Sequence, residues 1–222
     1  MLITPAILPD NFEHLVHKLF VLEGLLPRVQ IDLCDGVFGL EKTWLPYREK
    51  ELPEGFSYEF DLMVKDWRKY LVRVVALRAT RVVMHIDDMS DDDLNEIVGM
   101  VRPHKIALGL CVSNDKNVPL FAARVRRVEE LYSRVFIQVM GIQHIGAQGQ
   151  PFDDSVLRRI SYLKSECRGI DIQVDGSMNP ETILKVKNAG ARCAVVGSYL
   201  FSHGATPKAV QKNLDKLSFS AR

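Results

Sequence analysis

Eight short apolar stretches, at 2–8, 28–33, 57–64, 81–86, 105–112, 135–140, 170–174 and 193–196, recur along the whole chain, and amphipathic stretches of helical period separate most of them. That alternation dictates parallel β-structure, because a parallel neighbour is reached only through a crossover long enough to hold a helix. Spread over 222 residues, eight such units have roughly 28 residues each, the lean end of a (β/α)8 barrel. The chain is therefore expected to be an α/β protein, a single TIM barrel covering 1–222.

Helix starts support the division. Asp10 with Glu13 reads as a capping box ahead of FEHLVHKLFVL, Ser90 with Asp93 opens DDLNEIVGMV, and Asn179 before Pro180 marks a third start. The second unit is the exception: LEKTWLPYREKELPEGF holds Pro46, Pro53 and Gly55 and little helical period, so a long loop or only a short helix is expected there.

Charge and composition exclude several roles. With 29 basic against 28 acidic residues, a net charge of +1 gives no broad field for nucleic acid or an anionic membrane, so an anionic ligand must be held locally. No apolar run reaches the roughly 18 residues of a membrane span, and MLITPAILPD has neither the basic flank nor the apolar length of a signal peptide. A cytoplasmic location is expected. Cys34, Cys111, Cys167 and Cys193 form no Cys-x-x-Cys pair and read as reduced packing residues. His14 and His17, three apart with no third ligand, read as surface or packing residues, and RVRRVEELYSR at 124–134 as a solvated helix face with internal salt pairs.

In a barrel, alternate strand residues face inward and functional groups gather at the strands' C-terminal ends. Parity turns inward Thr4 and Ala6, Gln30 and Asp32, Glu59 or Asp61 with Met63, His85, Cys111, Gln138 and Met140, and Gln173 and Asp175. That set is too polar for core filling alone. Asp32, Asp61 and Asp175 are expected to converge on one mouth, where like charges raise each other's pKa values unless a cation or a donor intervenes. An Asp that merely caps the turn after its strand is the plain alternative for any one of them.

These residues carry a resemblance to the ribulose-phosphate 3-epimerase family that spans nearly the whole chain. TPAIL at 4–8 resembles the family's first strand, QIDLCDG at 30–36 its His-x-Asp-x-Met-Asp-Gly signature, and EFDLMV at 59–64 its Asp-x-His-Leu-Met-Val. VVMHID retains the fourth-strand His as His85, and VMGIQHIGAQGQPF is similar to the sixth strand and its glycine-rich loop, in altered form. VDGSMNPETI and GARCAVVGSYLF follow the Val-Asp-Gly-Gly and Ala-Gly-Ser motifs most closely.

The resemblance implies epimerisation of a phosphorylated ketose at C3 through an enediolate, with Asp32 and Asp175 passing protons on opposite faces. It implies substrate contacts from Gln30, Met63, His85, Met140, Gly146 and Gly149, the last two in a loop, 146–149, that closes over the ligand. It further implies a phosphate cup of Gly176, Ser177, Gly197 and Ser198, the last pair opening a short helix. His85 has a second expected role, hydrogen-bonded to one of the acids, and His144 is a ligand contact or an exposed loop residue. Family members hold a divalent metal with two His and two Asp, and here Gln30 and Asp61 stand at the His positions and Ala6 at the first-strand Ser. The implied metal set is therefore Asp32, Asp61 and Asp175, suited to Mn or Mg more than to Zn, with Fe or Co also possible ions, and a site without metal is the other expectation. Gln30 is expected to offer its amide oxygen to such an ion or to orient a water. A sugar phosphate and a second copy of the chain are the expected partners. A relative that binds the sugar phosphate without turnover is the competing reading, and the pair Gln30 and Asp61 discriminates the two.

Overall fold

The computed structural model describes residues 1–39, 41–47, 51–146 and 149–221. Its strands are β1 (Leu2–Ile7), β2 (Arg28–Cys34), β3 (Ser57–Met63), β4 (Arg81–His85), β5 (Ala107–Cys111), β6 (Val135–Met140), β7 (Asp171–Asp175) and β8 (Cys193–Val196). All eight pair in parallel in sequence order, and β8 returns to β1 to close a (β/α)8 barrel. Around them lie α1 (Phe12–Leu22), α2 (Trp67–Ala76), α3 (Asp91–Val101), α4 (Val118–Leu131), α5 (Val156–Glu166), α6 (Pro180–Ala189) and α7 (Pro207–Ala221). Among the described residues no helix joins β2 to β3. Prolines and a glycine deny that segment a helical face, and Leu45, Trp44, Leu52 and Phe56 cover the sheet in its place.

Local chemistry sets the helix starts, with one correction. Asn11 caps α1 by accepting from the His14 amide at 2.9 Å, while Asp10 pairs with the His14 ring at 3.0 Å. The Ser90–Asp93 capping box on α3 is present, and Asn179 caps α6 with Thr182 as its reciprocal partner. The internal salt pairs expected on α4 are replaced by pairs to neighbouring helices: Arg124 and Arg127 reach Asp91 on α3, and Arg126 reaches Glu166 on α5.

Two cores result. Outward-facing strand residues such as Ile31, Leu33 and Phe60 are fully buried against the helices, where a Phe60→Ala truncation would cost about 3–5 kcal/mol. The interior is different. Barrel interiors are normally filled by branched apolar side chains, whereas this one carries Thr4, Gln30, Glu59, Asp61, His85, Gln138 and Gln173, each at most 3% exposed. Buried polar groups are tolerable only when hydrogen-bonded, and each of these has a partner, although His85 Nδ1 itself has none. At the N-terminal, closed end the Arg81 guanidinium donates to Glu59 and, at 2.8 Å, to the Gln173 oxygen. The Gln173 amide donates to Glu59 and to Gln138, both at 2.6 Å. Gln138 then donates to Asp61 at 2.7 Å. A smaller apolar layer that includes Cys34, Met63, Cys111 and Met140 lies toward the open end.

Candidate active site

Strand register positions the acids. Asp32 on β2 lies directly opposite Asp61 on β3, and Asp175, the last residue of β7, lies opposite Met140 on β6. Each of the three offers an oxygen within 4.8 Å of the others. Gln30 binds two of them together, its amide nitrogen donating to Asp32 Oδ1 at 2.8 Å and to Asp175 Oδ2 at 2.7 Å. Asp61 is held separately, one oxygen 2.8 Å from His85 Nε2 and the other accepting from Gln138. The Phe38 ring, carried by the β2–β3 connection, packs 5.2 Å from the His85 ring.

Above these groups opens a cleft. Asp32 and Asp175 form its polar floor with Met63 and Met140 as apolar walls, while Gly146, Gly149, Gly176, Ser177, Gly197 and Ser198 also line it. Gln30, Asp61 and His85 are buried and are not among its lining residues; Gln30 touches Asp32 and Asp175, and His85 touches Asp61. Gln30 presents nitrogen to the acids, and its oxygen has only a long contact of 3.5 Å from Gln173. In this arrangement the amide nitrogen, not the oxygen, faces the two carboxyl groups. His14 and His17 stay on α1, and His144 is exposed in the β6–α5 loop, its backbone bonded to the Gln150 side chain.

The rim at the far wall is built from tight backbone. Gly176 has φ 106° and Ser177 φ 53°, a left-handed conformation that glycine adopts most easily. The Ser177 hydroxyl donates to the Gln150 carbonyl and so ties the β6–α5 loop to this rim. At its other side the same loop accepts from the Glu41 amide through the Gly146 carbonyl at 3.2 Å. Of the loop expected to close over a ligand, Ala147 and Gln148 lie outside the described residues. Gly197 and Ser198 are followed by successive turns through 203, not by the expected short helix. Arg81, Phe38 and Gln150 were not anticipated, although Arg81 shares inward parity with Val83 and His85.

Electrostatics make the acid pair unusual. Burial, and after it the charges of Asp175 and Asp61, raise the Asp32 carboxyl well above the usual carboxylate range. Burial and the Asp61 charge push Asp175 up to about 7, against the opposing donation from Gln30. Burial alone would lower the His85 pKa, but Cys111 and the Asp61 carboxylate outweigh it and hold the imidazole well above its ordinary value. A raised carboxyl pKa means that the native state holds protons the unfolded chain releases, so stability falls as pH rises from near 4 through about 7. In chelator, the melting temperature is expected to be higher at pH 5.5 than at pH 8, and Asp175→Asn to flatten that difference. An unchanged slope in the variant would remove Asp175 as its source.

A family model described as the ribulose-phosphate 3 epimerase family matches residues 2–201. The chain belongs to that family. Among its curated relatives, the chloroplastic ribulose-5-phosphate-3-epimerase of Arabidopsis thaliana is 26% identical over 208 residues, covering 90% of this chain and 72% of the relative. The cytoplasmic isoform of ribulose-phosphate 3-epimerase from Oryza sativa subsp. japonica is 28% identical over 209 residues, covering 90% and 86%. A crystal structure of 3-hexulose-6-phosphate synthase superposes with a TM-score of 0.67 at 18% identity and full coverage of both chains, a likeness of fold. No helix among the described residues is long and apolar enough to cross a membrane.

Proposed function

We propose that this protein epimerises a phosphorylated ketose at C3, with D-ribulose 5-phosphate as the nearest substrate. The observation that carries the reading is the acid pair on the cleft floor, Asp32 and Asp175, joined through Gln30 and raised in pKa. Epimerisation needs one ionised and one protonated carboxyl at the same pH, and two buried acids that resist double ionisation supply that state near neutrality. The ionised member takes the C3 proton; the C–H electrons move into the C2–C3 bond and the C2 carbonyl becomes an enediolate oxygen. The protonated member then gives its proton to the opposite face of C3. Net charge on the pair is unchanged, and the two carboxyls have exchanged roles. The rim of Gly176, Ser177, Gly197 and Ser198 receives the phosphate, with backbone N–H groups in place of a cationic field.

A metal fits the donor set. Asp32, Asp61 and Asp175 are three hard oxygen donors close enough together to share one ion, which suits Mg²⁺ or Mn²⁺. Such an ion, when bound, supplies Lewis-acid stabilisation of the enediolate. Gln30 keeps its donor end toward Asp32 and Asp175 and is not a ligand in this arrangement. That donor end, standing where the family resemblance places a His ligand, is also the one observation that favours the second reading, a sugar-phosphate binder without turnover.

Proton NMR in D₂O separates the two. D-ribulose 5-phosphate incubated with the protein, with and without Mn²⁺, is expected to lose its C3 proton signal and to form its C3 epimer. Saturable binding with no exchange under either condition would leave the binder as the correct reading.

A further inference from the structure

We infer that Arg81, at the closed end of the barrel, is a remote positioning residue that acts through Gln173 and Gln138 to hold Asp61 beneath the reacting acids. An amide side chain has a donor end and an acceptor end of nearly equal size, so nothing in its shape decides which end faces a neighbour. Charge decides it here. A guanidinium only donates, and Arg81 donates to the Gln173 oxygen at 2.8 Å. The Gln173 nitrogen is thereby turned the other way, and its two protons serve Glu59 and the Gln138 oxygen, each at 2.6 Å. With its oxygen so engaged, Gln138 has only its nitrogen to present to Asp61, which accepts at 2.7 Å. Reversing any one amide would set donor against donor at Arg81 or acceptor against acceptor at Asp61.

The consequence reaches the acids above. Asp61 accepts from Gln138 on one oxygen and bonds His85 on the other, and both bonds fix its carboxyl plane beside Asp32, its neighbour across the ladder. One Asp61 oxygen stands within 4.8 Å of an oxygen of each of Asp32 and Asp175. A carboxylate free to rotate or to pair differently would place that charge less reproducibly. Arg81 is itself fixed by Glu59 and by the Phe136 ring 3.6 Å from its guanidinium. Neither Arg81 nor Gln173 lines the cleft.

The catalytic consequence rests on the epimerase reading, whereas the amide orientations do not, and the test reads each separately. Two variants cut the chain without stranding a buried ion: Glu59→Gln with Arg81→Met, which removes both charges together, and Gln173→Leu, which leaves the Arg81–Glu59 pair intact. ¹⁵N-resolved NMR of the side-chain NH₂ groups is expected to show the Gln138 pair displaced in both variants, although neither substitution touches Gln138's own strand. With D-ribulose 5-phosphate, kcat is expected to fall about tenfold or more with KM within about twofold of wild type, the split for a residue that supports reacting groups but not phosphate binding. Unmoved Gln138 resonances in a folded variant would overturn the inference. So would a displaced Gln138 with kcat unchanged in a chain whose wild type turns over. If the wild type shows no exchange, the epimerase reading falls by itself, and the Gln138 resonances alone decide the orientation.

Discussion

Asparagine at position 32 or at position 175 is expected to reduce C3 epimerisation at least about a hundredfold while leaving sugar-phosphate binding in place. Each substitution keeps an oxygen that can accept from the Gln30 amide, so the bridge between the two positions survives and the floor of the cleft keeps its shape. What is lost is the one group able to take or give a proton on that face. Turnover of D-ribulose 5-phosphate measured beside isothermal titration of the same ester distinguishes the two effects. Full turnover in either variant would remove the two-acid mechanism; loss of binding in both would show that the carboxylates anchor the sugar and do not merely act on it. A single-face exchange, in which one variant still washes deuterium into C3 without forming the epimer, would identify the acid facing the D-ribulose configuration.

A methyl group at Gly141 is expected to have the largest effect on the fold near the site. Gly141 follows β6, and a Cβ there would lie 2.3 Å from the Gly176 carbonyl oxygen, with the Phe152 ring 3.3 Å away. The clash is with backbone and has no rotamer to relieve it. Nor are the segments free to part, since the Gly141 amide donates to the Asp175 carbonyl at 2.6 Å. Gly141→Ala should therefore destabilise the protein by about 3 kcal/mol, a fall in melting temperature of about 6–12 °C for a chain of this size. Because the displaced atoms belong to Asp175 and Gly176, affinity for the phosphate ester should fall too. Gly99 on α3, whose added Cβ would meet nothing within 4 Å and whose φ is not positive, is the control. A Gly141→Ala protein that melts within 2 °C of wild type would mean that the two strand ends separate at little cost.

The barrel was legible because its strands are short Val, Ile and Leu runs between polar connections, and their observed bounds lie within two residues of those read from the pattern. Pro46, Pro53 and Gly55 announced the missing helix equally plainly. Caps were legible where one candidate stood alone, as at Ser90 and Asn179. Asp10 and Asn11 compete side by side, and only the three-residue reach to the His14 amide selects Asn11. Arg81 escaped notice because an Arg at the start of a strand reads as a solvent flank, although its parity with Val83 and His85 marks it as inward. The sense of Gln30 was not legible at all. Its partner Asp175 is 145 residues away, and an amide spells the same whichever end faces inward.

The polar interior also constrains how such a barrel comes together. Asp61 takes one bond from His85 on β4 and one from Gln138 on β6; Glu59 takes one from Arg81 on β4 and one from Gln173 on β7. Asp175, in the second half of the chain, relies on Gln30 in the first. A fragment of four strands would therefore lack about half of these partners and leave its acids to water. The two halves of this barrel are incomplete without each other in polar terms, independently of any apolar surface they share. Joining the halves therefore completes a hydrogen-bond network as well as an apolar core.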